Sequence, residues 1–148
     1  MRLKNQLILI LIMTNKFLAI ALASGFLFAV STATAAVDLS KLPPASDKKD
    51  LTFAKDIKPI FEKQCVSCHG PEKQKGKLRL DTLEAALKGG DEGESIIKGK
   101  SAESPLVQSI ARLDEDYAMP PEKKDGTIDA VSKENIGLIR AWIDQGAK

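Results

Sequence analysis

Residues 65–69 read Cys-Val-Ser-Cys-His, and they gather both cysteines and the only histidine of a 148-residue chain. Whatever the chain folds into must present two thiols and an imidazole within one turn. The rest of the sequence has little with which to build a core around that turn. Beyond residue 36 it holds two phenylalanines (Phe53, Phe61), one tryptophan (Trp142) and one tyrosine (Tyr117). Domains of this size bury a modest share of their surface and often depend on a staple or a prosthetic group. A large apolar body for the chain to wrap is therefore expected.

The first 36 residues differ from the remainder. Arg2, Lys4 and Lys16 accompany two apolar runs, LILILIM and FLAIALASGFLFAV, with no acidic residue. Ala33-Thr34-Ala35 fits the small-residue cleavage pattern of a secretory signal peptide, so residues 1–36 read as one, cut near Ala35/Ala36. Met13 opens a second complete signal-peptide pattern. An uncleaved membrane tether is the rival reading, but the run from Phe17 to Val30 is 14 residues long, short of the roughly 20 that span a bilayer. A periplasmic or otherwise exported protein is expected. The remainder carries 19 basic and 20 acidic side chains, so the formal charge of +2 on the whole chain belongs to the N-terminal segment. No basic face is left for nucleic acid.

Residues 37–50 are polar and proline-containing and read as an extended leader or linker, with the domain proper at 51–148. Phe53, Ile57, Ile60 and Phe61 lead into Cys65 at helical spacing, and Pro59 either kinks that helix or divides off its first turn. Asp81 with Glu84 suggests a capping box for a helix over TLEAALK, stopped at Gly89-Gly90. Ser104 before Pro105 opens a helix over PLVQSIARL. The last helix has Ser132 as cap, an apolar face of Ile136, Ile139, Trp142 and Ile143, and Gly146 as stop. No alternating strand pattern occurs. An all-α fold with long loops is expected.

Three chemistries use such a cysteine–histidine cluster. A disulfide three residues wide constrains little, and a catalytic dithiol normally accompanies a βαβ pattern that this chain lacks. A structural zinc site takes four ligands, usually Cys or His, and the supply ends at Cys65, Cys68 and His69. Blue copper wants two histidines. Covalent haem attachment uses every residue as found: in C-x-x-C-H the two thiols add to the porphyrin vinyl groups and the histidine faces the iron. Attachment outside the cytoplasm agrees with the signal peptide. His69 is then the proximal ligand. Met119 in YAMPPEK is the single methionine beyond residue 36, in a loop stiffened by two prolines, and is the candidate for the distal position. The alternative is an open or water-bound sixth site. His/Met ligation favours reduced iron.

The stretches CVSCHGP, KLRLDTLEAALKGGDEGES, SAESPLVQSI, MPP and LIRAWIDQGA, spread over roughly residues 50–147, resemble the c-type cytochrome domain of planctomycetes and related bacteria. The resemblance implies a class-I-like cytochrome c fold wrapped around one covalently bound haem c. It also implies Cys65 and Cys68 as thioether anchors, with His69 and Met119 as axial ligands. KGKL stands where the family tends to have a glycine pair, and KGKSAES replaces a turn with Pro and Asp. Both lie away from the ligands. Such domains often occur fused to large partners of poorly defined enzymology; none is evident here, so no enzymatic activity is expected.

Arg79 and Tyr117 are candidate donors to haem propionates, against a solvated loop charge for Arg79. Trp142 is expected to pack the last helix on the first. The Pro71 carbonyl is a candidate acceptor for the second nitrogen of His69. Lys73, Lys75, Lys77, Lys123 and Lys124 flank the two haem-contacting loops, as ordinary surface or as a steering patch for an acidic protein redox partner. The reading is a single-electron carrier, free-standing or as the haem subunit of a larger oxidoreductase. A haem enzyme or gas sensor with a labile sixth position is the alternative; the lack of a second histidine argues against a peroxidase.

Overall fold

The computed structural model describes residues 37–127 and 129–148; the segment read as a signal peptide lies outside them. Four α-helices carry the fold: α1 (Lys58–Gln64), α2 (Leu83–Lys88), α3 (Pro105–Ile110) and α4 (Lys133–Asp144). No strand occurs among the described residues. Isolated bridges pair His69 with Gln74 and Gly90 with Gly93.

Pro59 resolves as a boundary. Phe53–Ile57 form a separate π-helical turn, and α1 starts at Lys58 with the proline in its first turn, where no backbone donor is missed. Thr52 and Asp56 hold the earlier turn reciprocally: the Thr52 side chain accepts from the Lys55 N–H, and the Asp56 carboxylate accepts from the Thr52 N–H at 2.9 Å. The expected apolar face is buried, with Ile57 and Phe61 wholly enclosed. Phe53 meets Phe61 edge-on at 6.1 Å between ring centres and Trp142 at 5.9 Å, which joins the N-terminal turn to α4. The Trp142 indole N–H donates to the Lys148 carbonyl at 2.9 Å, and that carbonyl also accepts the Phe53 N–H. The last helix thus packs on the first elements, as its periodicity predicts. Its end is a Schellman turn: Gly146, at φ 98°, bonds back to Ile143, and Ala147 to Trp142.

One expected cap is corrected, and one helix opens where expected without a side-chain cap. Thr82, not Asp81, caps α2 by accepting from the Ala85 N–H at 3.2 Å; Asp81 is engaged by Arg79 instead. Ser104 precedes α3 but its hydroxyl does not cap it. Fully buried, it accepts from the Ile97 N–H and donates to the Lys100 carbonyl, both at 2.9 Å, tying down the loop before the helix. Helix α3 also stops at Ile110 rather than running to Leu113, because Arg112 takes a left-handed φ of 55°.

Residues 37–50 are laid along α4. Ser46 N–H donates to the Gly137 carbonyl at 2.9 Å, Gln145 Nε2 to the Lys48 carbonyl at 2.8 Å, and Arg140 Nη1 to the Pro43 carbonyl. Leu42 and Ala45 pack against the core. Among the described residues no helix is long and apolar enough to cross a membrane.

Candidate cofactor site

The cysteine–histidine cluster grows out of the end of α1. Cys65 and Val66 both donate to the Phe61 carbonyl, at 2.8 and 2.9 Å, which closes the helix. The Cys65 carbonyl then accepts from Cys68 at 3.0 Å and His69 at 2.8 Å. One further turn therefore carries both thiols and the imidazole. The chain beyond is bound back to it: Lys75 N–H to the Cys68 carbonyl at 3.0 Å, Leu80 N–H to the His69 carbonyl at 2.8 Å. Gly70 makes the turn possible, because a Cβ there would lie 2.4 Å from the Val66 carbonyl oxygen and 2.8 Å from its Cγ1.

Cys65 and Cys68 are both free thiols, half-buried, with Cys65 packed against the core. Burial pushes the Cys65 thiol up to about 11. That is the reverse of what a redox dithiol or a thiolate metal site uses. Among the described residues no group of three His, Cys, Asp or Glu side chains is placed to hold a metal ion, which leaves the zinc alternative without a ligand set.

His69 is held below its ordinary value by burial, which outweighs the opposing pull of the Leu78 and Lys75 backbone; the Lys75 charge adds to the lowering. Its Nδ1 is buried with no hydrogen-bond partner. The Pro71 carbonyl, expected to accept from this ring, accepts from Gln74 Nε2 at 3.3 Å instead. A neutral imidazole with an idle buried nitrogen, in the same turn as two free thiols and near Val66 and Leu78 in sequence, both half-buried and packed against the core, suits a group that takes an electron pair and offers apolar surface. The residues present fit a covalently attached haem.

Met119 is held by a different element. Its N–H donates to the Ser109 carbonyl in α3 at 2.9 Å, and the carbonyl of Pro120 accepts from Arg112 Nη1 at 2.7 Å. Its side chain is 36% exposed, so it is not core filler. Tyr117, two residues earlier, is also exposed. The Arg79 guanidinium is engaged bidentately by Asp81, with Nε to Oδ1 at 2.9 Å and Nη2 to Oδ2 at 2.6 Å. Lys77 and Lys123 pair with Asp91 at 2.7 Å and Asp129 at 2.6 Å, and Lys73, Lys75 and Lys124 are exposed. The turn on α1 and the loop on α3 border one core cluster, in which Phe61, Val107 and Ile110 all take part.

Gly70, Ser109 and Arg112 were not legible as site residues. Gly70 follows the histidine, but only the Val66 contact explains it. Ser109 acts through its backbone, and Arg112 reads as an ordinary surface charge.

Residues 65–123, from the first cysteine of the turn to just past the Met119 loop, match the family model described as planctomycete cytochrome C. No curated protein and no solved structure matches the chain. Residues 65–123 are thus similar to a planctomycete-type cytochrome c domain, a family that binds haem c covalently, and four helices with no strand among the described residues agree with a small all-α domain of that kind.

Proposed function

We propose that the protein is an exported monohaem cytochrome that passes single electrons between protein partners. Cys65 and Cys68 carry the porphyrin as thioethers, His69 is the proximal iron ligand and Met119 the distal one. The observation that carries this reading is the turn itself: two free thiols and an imidazole with a buried, unpartnered nitrogen, at the start of the matched stretch. Bound there, haem c supplies a one-electron ferrous–ferric couple, which His/Met ligation biases toward the reduced state. The chain's own part is to keep geometry constant. Helix α1 and the Leu80–His69 bond fix the backbone that carries the imidazole, and α3 fixes the backbone of Met119.

Export is inferred from residues 1–36, and a periplasmic location agrees with covalent haem attachment outside the cytoplasm. The partner is an acidic protein surface meeting exposed Lys73, Lys75 and Lys124, so the transfer rate falls as salt rises. Unchanged rates after neutralising these lysines reject that surface.

The exposed Met119 side chain supports a second reading, a labile sixth position serving gas binding or enzymatic turnover. Visible spectra of the purified protein, oxidised and reduced, with and without carbon monoxide, decide between them. A low-spin spectrum with the weak long-wavelength sulfur-to-iron band, unmoved by carbon monoxide, supports electron transfer. A carbon monoxide shift favours the second reading. No haem spectrum from cells competent to attach it sinks both.

A further inference from the structure

Arg112 lies seven residues before Met119 and belongs to no cap, core or motif, yet its geometry is unusual. It is one of four non-glycine residues with positive φ among those described, at 55°. For a side chain larger than glycine that conformation costs on the order of 1–2 kcal/mol, and it persists where the surroundings over-determine it. Two bonds do so here. The Arg112 N–H donates to the Ser109 carbonyl at 3.0 Å, and its Nη1 donates to the Pro120 carbonyl at 2.7 Å. The Ser109 carbonyl also takes the Met119 N–H at 2.9 Å.

The arrangement brackets Met119. Its own N–H is tied to α3 through Ser109, and the carbonyl of the next residue is tied to the same place through the guanidinium. The left-handed turn at Arg112 reverses the side chain toward the returning loop. Without the guanidinium Met119 keeps its own N–H bond to Ser109, and among the described residues the next ties to the body of the domain come ten residues on, where Gln64 Nε2 donates to the Asp129 and Ala130 carbonyls. Arg112 pairs with no carboxylate among the described residues, although Asp114, Glu115 and Asp116 follow it closely. Its donor is spent on the carbonyl of Pro120.

We infer that Arg112 is a positioning residue that latches the Met119 loop, holding the thioether at the iron and setting how often that position opens. The inference rests on the reading of Met119 as the distal ligand. It concerns the lability of the ligand rather than its identity.

The test uses the haem-loaded, full-length protein and Arg112→Gly, which deletes the guanidinium while easing the left-handed backbone. Arg112→Lys, with one point donor on a flexible stem, is the conservative partner. Far-UV circular dichroism and covalent haem content check folding. The readouts are the pH at which the ferric sulfur-to-iron band is lost and the rate of carbon monoxide binding to the ferrous protein. A charge-assisted bond of this kind predicts an opening equilibrium shifted roughly tenfold in Arg112→Gly, seen as band loss about one pH unit lower and carbon monoxide binding about tenfold faster, with Arg112→Lys between. A band and a rate within twofold of wild type in the glycine variant overturn the latch. A wild-type protein that never shows the band overturns the ligation itself, a result told apart because it appears before any substitution.

Discussion

Gly137→Ala places two effects in opposition. Gly137 stands mid-helix in α4, where alanine ordinarily gains about 1 kcal/mol through helix propensity. In the fold, however, a Cβ at this position would lie 2.8 Å from the Pro44 carbonyl oxygen and 3.5 Å from the Ser46 nitrogen. The first contact involves backbone on both sides, so residues 43–46 must retreat by several tenths of an ångström. That retreat strains the Ser46–Gly137 bond and the Arg140–Pro43 bond together. Overpacking of this kind costs about 2 kcal/mol, which outweighs the propensity gain and leaves a net loss of about 1 kcal/mol. For a domain near 100 residues that lowers Tm by about 4 °C. Thermal unfolding by circular dichroism measures the net effect, and hydrogen exchange at the Ser46 amide measures its cause. A variant stabilised by the full propensity term, with Ser46 protection unchanged, would refute the docking of residues 43–46 on α4.

Ser104→Ala strips the Ile97 N–H of its buried acceptor and should cost about 2 kcal/mol; a loss of unfolding free energy in urea of less than a quarter of that amount would count against the role given to the hydroxyl. Trp142→Phe keeps a ring beside Phe53 but removes the indole donor to the Lys148 carbonyl. A loss of about 2 kcal/mol is expected from the bond and the vacated volume, read by chemical denaturation followed in the far ultraviolet. Asp81→Asn removes the carboxylate that Arg79 holds below its ordinary range, first through their hydrogen bond. Because the folded-state value is depressed, the stabilisation is fully present above about pH 4 and is lost as pH falls through the folded-state value. The stability gap between wild type and variant should therefore be largest at neutral pH and close in acid; a gap that is constant with pH contradicts the pairing.

The parts of the fold legible in the sequence were those written in side-chain spacing. Phe53, Ile57, Ile60 and Phe61 are buried as their period implies, and Ser132 caps α4 by accepting from the Asn135 N–H at 3.2 Å. The errors share a cause: they concern polar groups choosing among competing partners. Asp81 resembles a cap until Arg79 claims it, which leaves the cap to Thr82, whose extended backbone suits it. The apolar period of α3 runs on to Leu113, but the chain must return so that Met119 can reach Ser109, and Arg112 ends the helix early. Residues 37–50 have a linker's composition, yet two of their carbonyls serve Arg140 and Gln145 from 97 positions away. Composition cannot reveal a backbone acceptor's partner. At the site, the spacing of Cys65, Cys68 and His69 was plain, whereas the idle nitrogen of His69 and the bracket around Met119 depend on contacts across the fold.

The junction of the N-terminal turn with α4 also bears on the order in which the domain assembles. Leu51 N–H reaches the Gln145 side chain across 94 positions, and closing a flexible loop of that length costs about 4 kcal/mol of chain entropy. Until α4 exists to repay it, Phe53 lacks its Trp142 neighbour and α1 lacks part of the scaffold that orients Cys65. A growing chain therefore displays the Cys65–His69 turn on an unfixed helix, and pulse-labelled hydrogen exchange should find the amides of α1 and α4 becoming protected in the same phase. Protection of α1 well ahead of α4 would separate the two events. Coupled assembly keeps both thiols reachable through most of synthesis and packs Cys65 against the finished core last.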